Sequence, residues 1–158
     1  LAARQYAIDN AHRIKGLGPD SWGMSASISP TTGYSGHYGS QPIGAGYKLL
    51  EDGTVAPYGA LSFLPFTPKA SISALKHMYT IPGLVGKYGL YDAYSYATKA
   101  KGEQPWVAKS YLGIDKGLVL LMFENYSTQL IWRLLHQNKF IQKGLRILEF
   151  IQVGNDLK

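Results

Sequence analysis

The stretch LGIDKGLVLLMFENY, residues 112–126, limits the architecture more than any other part of the chain. An unbroken run from Gly117 to Phe123 lies between two acids, Asp115 and Glu124. Glu124 and Asn125 end it far short of the roughly 18 to 20 apolar residues that a bilayer span needs. The segment therefore predicts a core helix. Val119, Met122, Phe123 and Tyr126 recur at helical spacing, and Leu130, Ile131, Leu134 and Leu135 continue the stripe. This predicts one helix from Lys116 to about His136, with Asp115 as its N-cap. Its first half is apolar nearly all round, so it is expected to be buried. A carboxylate inside it is costly without a partner, and for Glu124 the partner is Arg133, a lysine or a ligand.

The rest of the chain reads as helices separated by long loops. Residues 1–12 carry Ala2, Ala3, Tyr6 and Ala7 on one side of a helix that Gly16 and Gly18 stop. Thr67 as N-cap and Pro68 at the first helical position open a second helix. Ile72, Leu75, Met78 and Tyr79 form its stripe, and Pro82 and Gly83 end it. Asn138 caps a last helix carrying Ile141, Leu145, Leu148 and Phe150. Residues 17–65 are rich in Gly, Ser, Thr, Pro and Tyr, and loops of that length are uncommon unless functional or disordered. Disorder would be poor in aromatics. Trp22, Tyr34, Tyr38, Tyr47 and Tyr58 instead predict loops packed around something. Glu51 to Val55 reads as a tight turn with Gly53 at positive φ. Residues 88–96, YGLYDAYSY, are a loop or short strand centred on Asp92, and residues 99–105 are polar linker.

Composition narrows the function classes. A chain of 158 residues with 46% apolar content is expected to form one globular domain. Its net charge of +6 comes from scattered basic residues with no Arg-rich stripe, which argues against nucleic acid as a partner. The absence of cysteine excludes a disulfide framework and a thiolate metal site. His12, His37, His77 and His136 have no metal-ligand spacing. Aromatics reach 13% while charged residues are only 16%, so much of the polarity is uncharged. Aromatic faces stack on sugar rings while carboxylates bind hydroxyls. A pair of carboxylates is also what glycoside hydrolysis requires. Asp92, Asp115 and Glu124 are the candidate acids, with Tyr34 and Tyr111 as aromatic candidates for substrate binding.

Six ordered segments make this reading more specific: SWGMSAS (21–27), DGTVAPYGALSFLPFTP (52–68), ALKHMY (74–79), GKYGLYDAYS (86–95), WVAKSYLGIDKGLVLLMFENY (106–126) and GLRILEF (144–150). Together they resemble the glucoamylase-like domain family, which includes bacterial β-1,2-glucanases and the glucoamylase-like part of cyclic β-1,2-glucan synthases. The resemblance runs with gaps from about Arg4 to Phe150. It implies a mainly α fold, part of an (α/α)6 toroid with long Gly/Ser/Tyr-rich loops.

A toroid of about twelve helices takes well over 300 residues at usual helix lengths. Residues 1–158, which begin without an initiator Met or a signal-peptide pattern, are therefore expected to be its C-terminal portion. The implied activity is acid/base hydrolysis of β-1,2-glucan or a related bacterial glucan, without metal or organic cofactor, in the periplasm or outside the cell. The alternatives are a noncatalytic glycan-binding module and a structural helical domain.

The resemblance also assigns residues. It places Trp22, Ser25 and Ser27 on a cleft-lining loop and retains Asp92, Asp115 and Glu124. The family pattern continues that loop with Asp-Gly-Pro, where this chain has Ile28, Ser29 and Pro30. The carboxylate expected at position 28 is absent.

A toroid cut in this way leaves helix faces exposed, to be covered by the remainder of the domain or by self-association. The isolated chain is expected to bind an apolar dye and to associate in light scattering. A monodisperse monomer that binds no dye would contradict the partial-toroid reading.

Overall fold

The computed structural model describes residues 2–41, 48–97 and 104–150. They carry six α-helices and seven short strands, so the chain is mainly α. It forms two compact units, residues 1–123 and 124–158.

In the first unit the fully buried Trp22, Met78, Leu84 and Tyr94 anchor the core. Helix α1 (Ala2–Asp9) contributes Ala7 to it. The region read as a long loop contains the hairpin of β1 (Ser27–Ser29) and β2 (Gly33–Ser35), with Ile28 opposite Tyr34. It also contains β3 (Thr54–Val55) and helix α2 (Pro57–Leu61). Packing around something proves literal for Trp22 and Tyr38, which are buried, whereas Tyr34 is exposed and Tyr47 lies outside the described residues. Gly53 adopts the expected positive φ, 76°.

Helix α3 (Pro68–Thr80) starts and stops where Pro68 and Pro82 predict. The inward face differs from the expected stripe. Ser71, Ala74 and Met78 are buried, while Ile72 and Tyr79 are exposed. The reason is close packing on α2, where the Ser71 hydroxyl donates to the Ala60 carbonyl at 2.9 Å and a larger side chain would hold the helices apart. Thr67 occupies the cap position without capping, because its hydroxyl donates to the Phe63 carbonyl at 3.2 Å instead.

Strands β4 (Val85–Gly86) and β5 (Gly89–Leu90) make a second hairpin. Beyond it β6 (Ala93–Ser95) lies between β3 and β7 (Trp106–Ala108) in an antiparallel sheet, with Tyr94 opposite Val55 and Val107. Asp92 is thereby fixed in the tight connection from β5 to β6. Of the predicted polar linker only residues 104 and 105 are described.

Helix α4 (Gly113–Thr128) departs most from expectation. It begins two residues before Asp115, with the Lys116 N–H bonded to the Leu112 carbonyl, so Asp115 is a first-turn residue and not the N-cap. The predicted continuous helix is also two helices. Gln129 takes a left-handed conformation, φ 59°, before α5 (Leu130–Gln137). Burial of α4 is corrected too: Ile114 is 80% and Leu120 is 70% exposed, and the only buried residue of the helix is Asn125. An all-round apolar helix needs cover on every side, and the described residues do not supply it.

In the second unit Glu124 is half-buried and its Oε1 accepts the Thr128 hydroxyl at 2.5 Å. Among the described residues it forms no ion pair with Arg133 or a lysine; Arg13 and Glu51, at 3.2 Å in the first unit, do pair. Asn138 caps α6 (Lys139–Ile147) as predicted, its side chain accepting the N–H groups of Phe140 at 2.9 Å and Ile141 at 3.3 Å.

The loop before β1 crosses α2 backbone to backbone. A Cβ on Gly59 would collide with the Gly23 carbonyl, and a Cβ on Gly23, where φ is +110°, would lie 2.7 Å from the Ala60 nitrogen. Gly59→Ala is expected to destabilise the first unit by about 2 kcal/mol or more, because overpacked backbone contacts cannot relax cheaply. Urea denaturation measures this, and an unchanged midpoint would contradict the close approach.

Candidate functional site

Asp92 is only 4% exposed, in the turn between β5 and β6. Its backbone N–H donates to the Ser110 carbonyl at 3.0 Å, which ties the turn to the chain leading into α4. Its Oδ2 accepts the Ile28 N–H at 2.8 Å, which ties it to β1. The other oxygen, Oδ1, is buried with no donor among the described residues. Asp115 likewise has a buried oxygen, Oδ2, without a donor.

Two ionised carboxylates have no hydrogen to share, so both orphan oxygens are explained by the same arrangement. One proton held between the acids gives the pair a hydrogen bond. Burial, that hydrogen bond and the Asp92 charge together push Asp115 up from 3.8 to about 6, against the opposing pull of Lys116. Buried carboxylate oxygens without a donor are costly, and a proton between the two acids offsets that cost.

The pair faces a cavity of about 350 Å3 in the first unit. Tyr58, Leu75 and Tyr91 are among its other walls. Tyr58 reaches it from α2, its hydroxyl lying 2.7 Å from the Ser25 hydroxyl and 3.1 Å from the Ala26 carbonyl, which accepts its proton. Burial raises the Tyr58 pKa, so its hydroxyl keeps its proton. Tyr91 packs on Tyr111 with ring centroids 4.9 Å apart and planes 31° from parallel. Tyr88 meets Tyr111 edge-on at 5.5 Å and donates its backbone N–H to the Tyr111 hydroxyl at 3.1 Å. The Tyr91 and Tyr111 hydroxyls share a hydrogen bond that raises Tyr91. Gly86 leaves the space they occupy, since a Cβ there would run into both rings' hydroxyl ends. Lys116 follows Asp115 on α4; its Nζ donates to the Leu90 carbonyl and sits 5.6 Å from the Tyr111 ring centroid.

The structure therefore brings Asp92 and Asp115 to one cavity, whereas Tyr111 lies behind Tyr91 and does not line it. Ser25 contributes through Tyr58. Trp22 and Ser27 are buried, Trp22 against Phe63 with ring centroids 6.3 Å apart, and neither lines the cavity. Tyr34 is 60% exposed on β2, and Glu124 belongs to the second unit. Tyr58, Tyr91 and Lys116 are site residues that sequence reasoning did not select. Tyr91 and Lys116 immediately adjoin the two acids, which was the available signal. Among the described residues no group of three His, Asp or Glu is placed to hold a metal ion.

The sequence and the fold both have relatives. The chain belongs to the Glycoamylase family, which it matches over residues 1–139. A protein from Parabacteroides distasonis named exo beta-1,2-glucooligosaccharide sophorohydrolase (non-reducing end) is 34% identical over 152 residues, 94% of this chain and 19% of its own length. The solved endo-beta-1,2-glucanase from Chitinophaga pinensis, in complex with sophorotriose and glucose, is 36% identical. It aligns at a TM-score of 0.72 over 91% of this chain and 32% of its own. A beta-1,2-glucanase structure from Parabacteroides distasonis gives a TM-score of 0.74 at 33% identity, covering 94% of this chain and 20% of that one. The chain thus spans about a fifth to a third of the length of these relatives.

The raised Asp115 pKa has a thermodynamic sign. Between 3.8 and about 6 the folded chain holds a proton that the unfolded chain has released, so stability falls as pH rises through that window. Asp115→Asn removes this dependence. Denaturation midpoints measured from pH 4 to 7.5 are expected to show the variant gaining on the parent as pH rises, whereas parallel curves would contradict a proton held at Asp115.

Proposed function

We propose that this chain is the C-terminal portion of an (α/α)6 glycoside hydrolase acting on β-1,2-glucan, and that Asp115 is the acid that protonates the glycosidic oxygen. The carrying observation is that Asp92 and Asp115, each with a buried oxygen that lacks a donor, line one tyrosine-rich cavity. A general acid works best with a pKa near the operating pH, and burial against a second carboxylate is the usual means of raising one. The relatives' names supply the substrate class, a β-1,2-linked glucan.

The same geometry limits what the pair does. The two carboxyls of a hydrolase stand about 5 to 5.5 Å apart in retaining enzymes and about 6.5 to 9.5 Å apart in inverting ones, on either side of the bond that breaks. Acids close enough to share a proton cannot flank that bond. Asp92 therefore acts by holding the proton on Asp115, and the base or nucleophile comes from another carboxylate. Position 28 does not provide it, because Ile28 stands there and its backbone N–H serves Asp92. The remaining part of the domain would supply it.

In the reaction the Asp115 proton passes to the leaving oxygen as the glycosidic bond breaks. A water attacks the anomeric carbon and yields its proton to that second carboxylate. Tyr58 and Tyr91, which line the cavity, offer aromatic surface to the sugar, and Tyr111 supports Tyr91 from behind. The glycan would be met in the periplasm or outside the cell, as the resemblance implies, and no described helix is long and apolar enough to cross a membrane.

Incubating the full-length protein with linear β-1,2-glucan tests the reading by the oligosaccharides released. Asp115→Asn is expected to lower kcat by about 10²- to 10⁴-fold, the usual contribution of general acid catalysis. Asp92→Asn is expected to shift the alkaline limb of the pH profile downward, because Asp92 holds the proton on Asp115. Binding of glucan without turnover would favour the noncatalytic module, for which the missing acid at position 28 is the motivating feature.

A further inference from the structure

We propose that Lys116 is a positioning residue for the acid pair: a cation tethered beside Asp92 and Asp115, but bonded to neither, that sets how readily the pair gives up its proton. The inference rests on the function proposed above and adds a residue to it. Three observations carry it. Lys116 lines the same cavity as both acids. Its ammonium is anchored elsewhere, on the Leu90 carbonyl and over the Tyr111 ring. Among the described residues it makes no ion pair within 4.0 Å, so the orphan oxygens Asp92 Oδ1 and Asp115 Oδ2 are not taken up by it.

This placement solves a problem that an ordinary salt bridge would not. A lysine bonded directly to Asp115 would strip its proton and occupy the oxygen that must reach the glycosidic bond. With no cation nearby, the pair would hold its proton more firmly. A tethered ammonium acts through space. Lys116 is the group whose charge lowers Asp115, while both acids in turn favour the charged lysine against its burial. The other titratable side chains lining the cavity are the phenols of Tyr58, Tyr79, Tyr88 and Tyr91, and burial raises that of Tyr58. Lys87 sits further out, over the Tyr88 ring at 5.1 Å.

The test compares Lys116→Met, Lys116→Gln and Lys116→Arg in the full-length protein by the pH profile of kcat/KM on linear β-1,2-glucan. A unit charge several Å away in a partly wet site is worth about half a pH unit or more. Methionine and glutamine are expected to move the alkaline limb upward by that amount, opposite in direction to Asp92→Asn. Arginine, which keeps the charge, is expected to leave the limb near the wild-type position. Two neutral variants are used so that failure of one to fold does not end the comparison.

Carboxyl-carbon NMR titration of Asp115 in the same proteins reads the shift without turnover. If the wild type proves inactive on the glucan, the proposed function fails, and this titration still decides the role of Lys116. Limbs and titrations that coincide for methionine, glutamine and wild type would overturn the inference. Arginine shifting as far as methionine would also overturn it, because loss of shape rather than charge would then be the cause.

Discussion

The hydrogen bond from the Ile28 N–H to Asp92 Oδ2 is the constraint on which the first unit's site depends. It joins a strand from the glycine-rich region to the turn before β6, and it occupies one side of the Asp92 carboxylate. The remaining oxygen then has no donor. Asp115, fixed in the first turn of α4, is in the same position. A backbone amide is a good clamp for this purpose, because it carries no net charge and cannot be titrated away. It orients the carboxylate without stabilising the ionised form as strongly as an arginine would. The pair is left to satisfy itself with a proton, which is how a pocket with few charges obtains an acid that stays protonated above the usual carboxylate range.

Under the proposed function, such an arrangement would leave part of the chemistry to another carboxylate. Proton sharing requires the two acids to touch, and flanking a glycosidic bond requires them to stand apart. One pair cannot do both. The chain spans about a fifth to a third of its relatives, so a complementary carboxylate has ample room to come from elsewhere. The exposed apolar side chains of α4 agree with the same view. Ile114 and Leu120 carry the composition of a covered helix without the cover.

The parts of the fold that were legible in the sequence are those with local causes. Pro68 and Pro82 bracket α3, Asn138 caps α6 and Gly53 turns the chain, each through a mechanism confined to a few neighbouring residues. The break at Gln129 was not legible, since glutamine has no preference for the left-handed region and the apolar stripe runs across it without a gap. The inward face of α3 was misread because periodicity counts large apolar residues, whereas Ser71 and Ala74 were buried for their smallness against α2. For the site, Asp92 and Asp115 were visible as acids beside aromatics but not as partners. No spacing rule joins residues on a strand turn and a helix start. Lys116 and Tyr58 were missed because their relevance comes only from that pairing.

The low charge of the chain then bears on how the pocket can be tuned. With charged residues at 16%, few ions stand near the acid pair, and exposed ones beyond roughly 8 to 10 Å are screened by salt. The surrounding polarity comes from tyrosine hydroxyls, which hold hydrogen bonds without altering the count of charges. Proton affinity is consequently a local property of three residues on two elements. Asp92 pushes the proton onto Asp115 and Lys116 pulls the other way. A change at either neighbour is expected to move the acid without touching it, so that under the proposed function the working pH would shift while Asp115 stays the same.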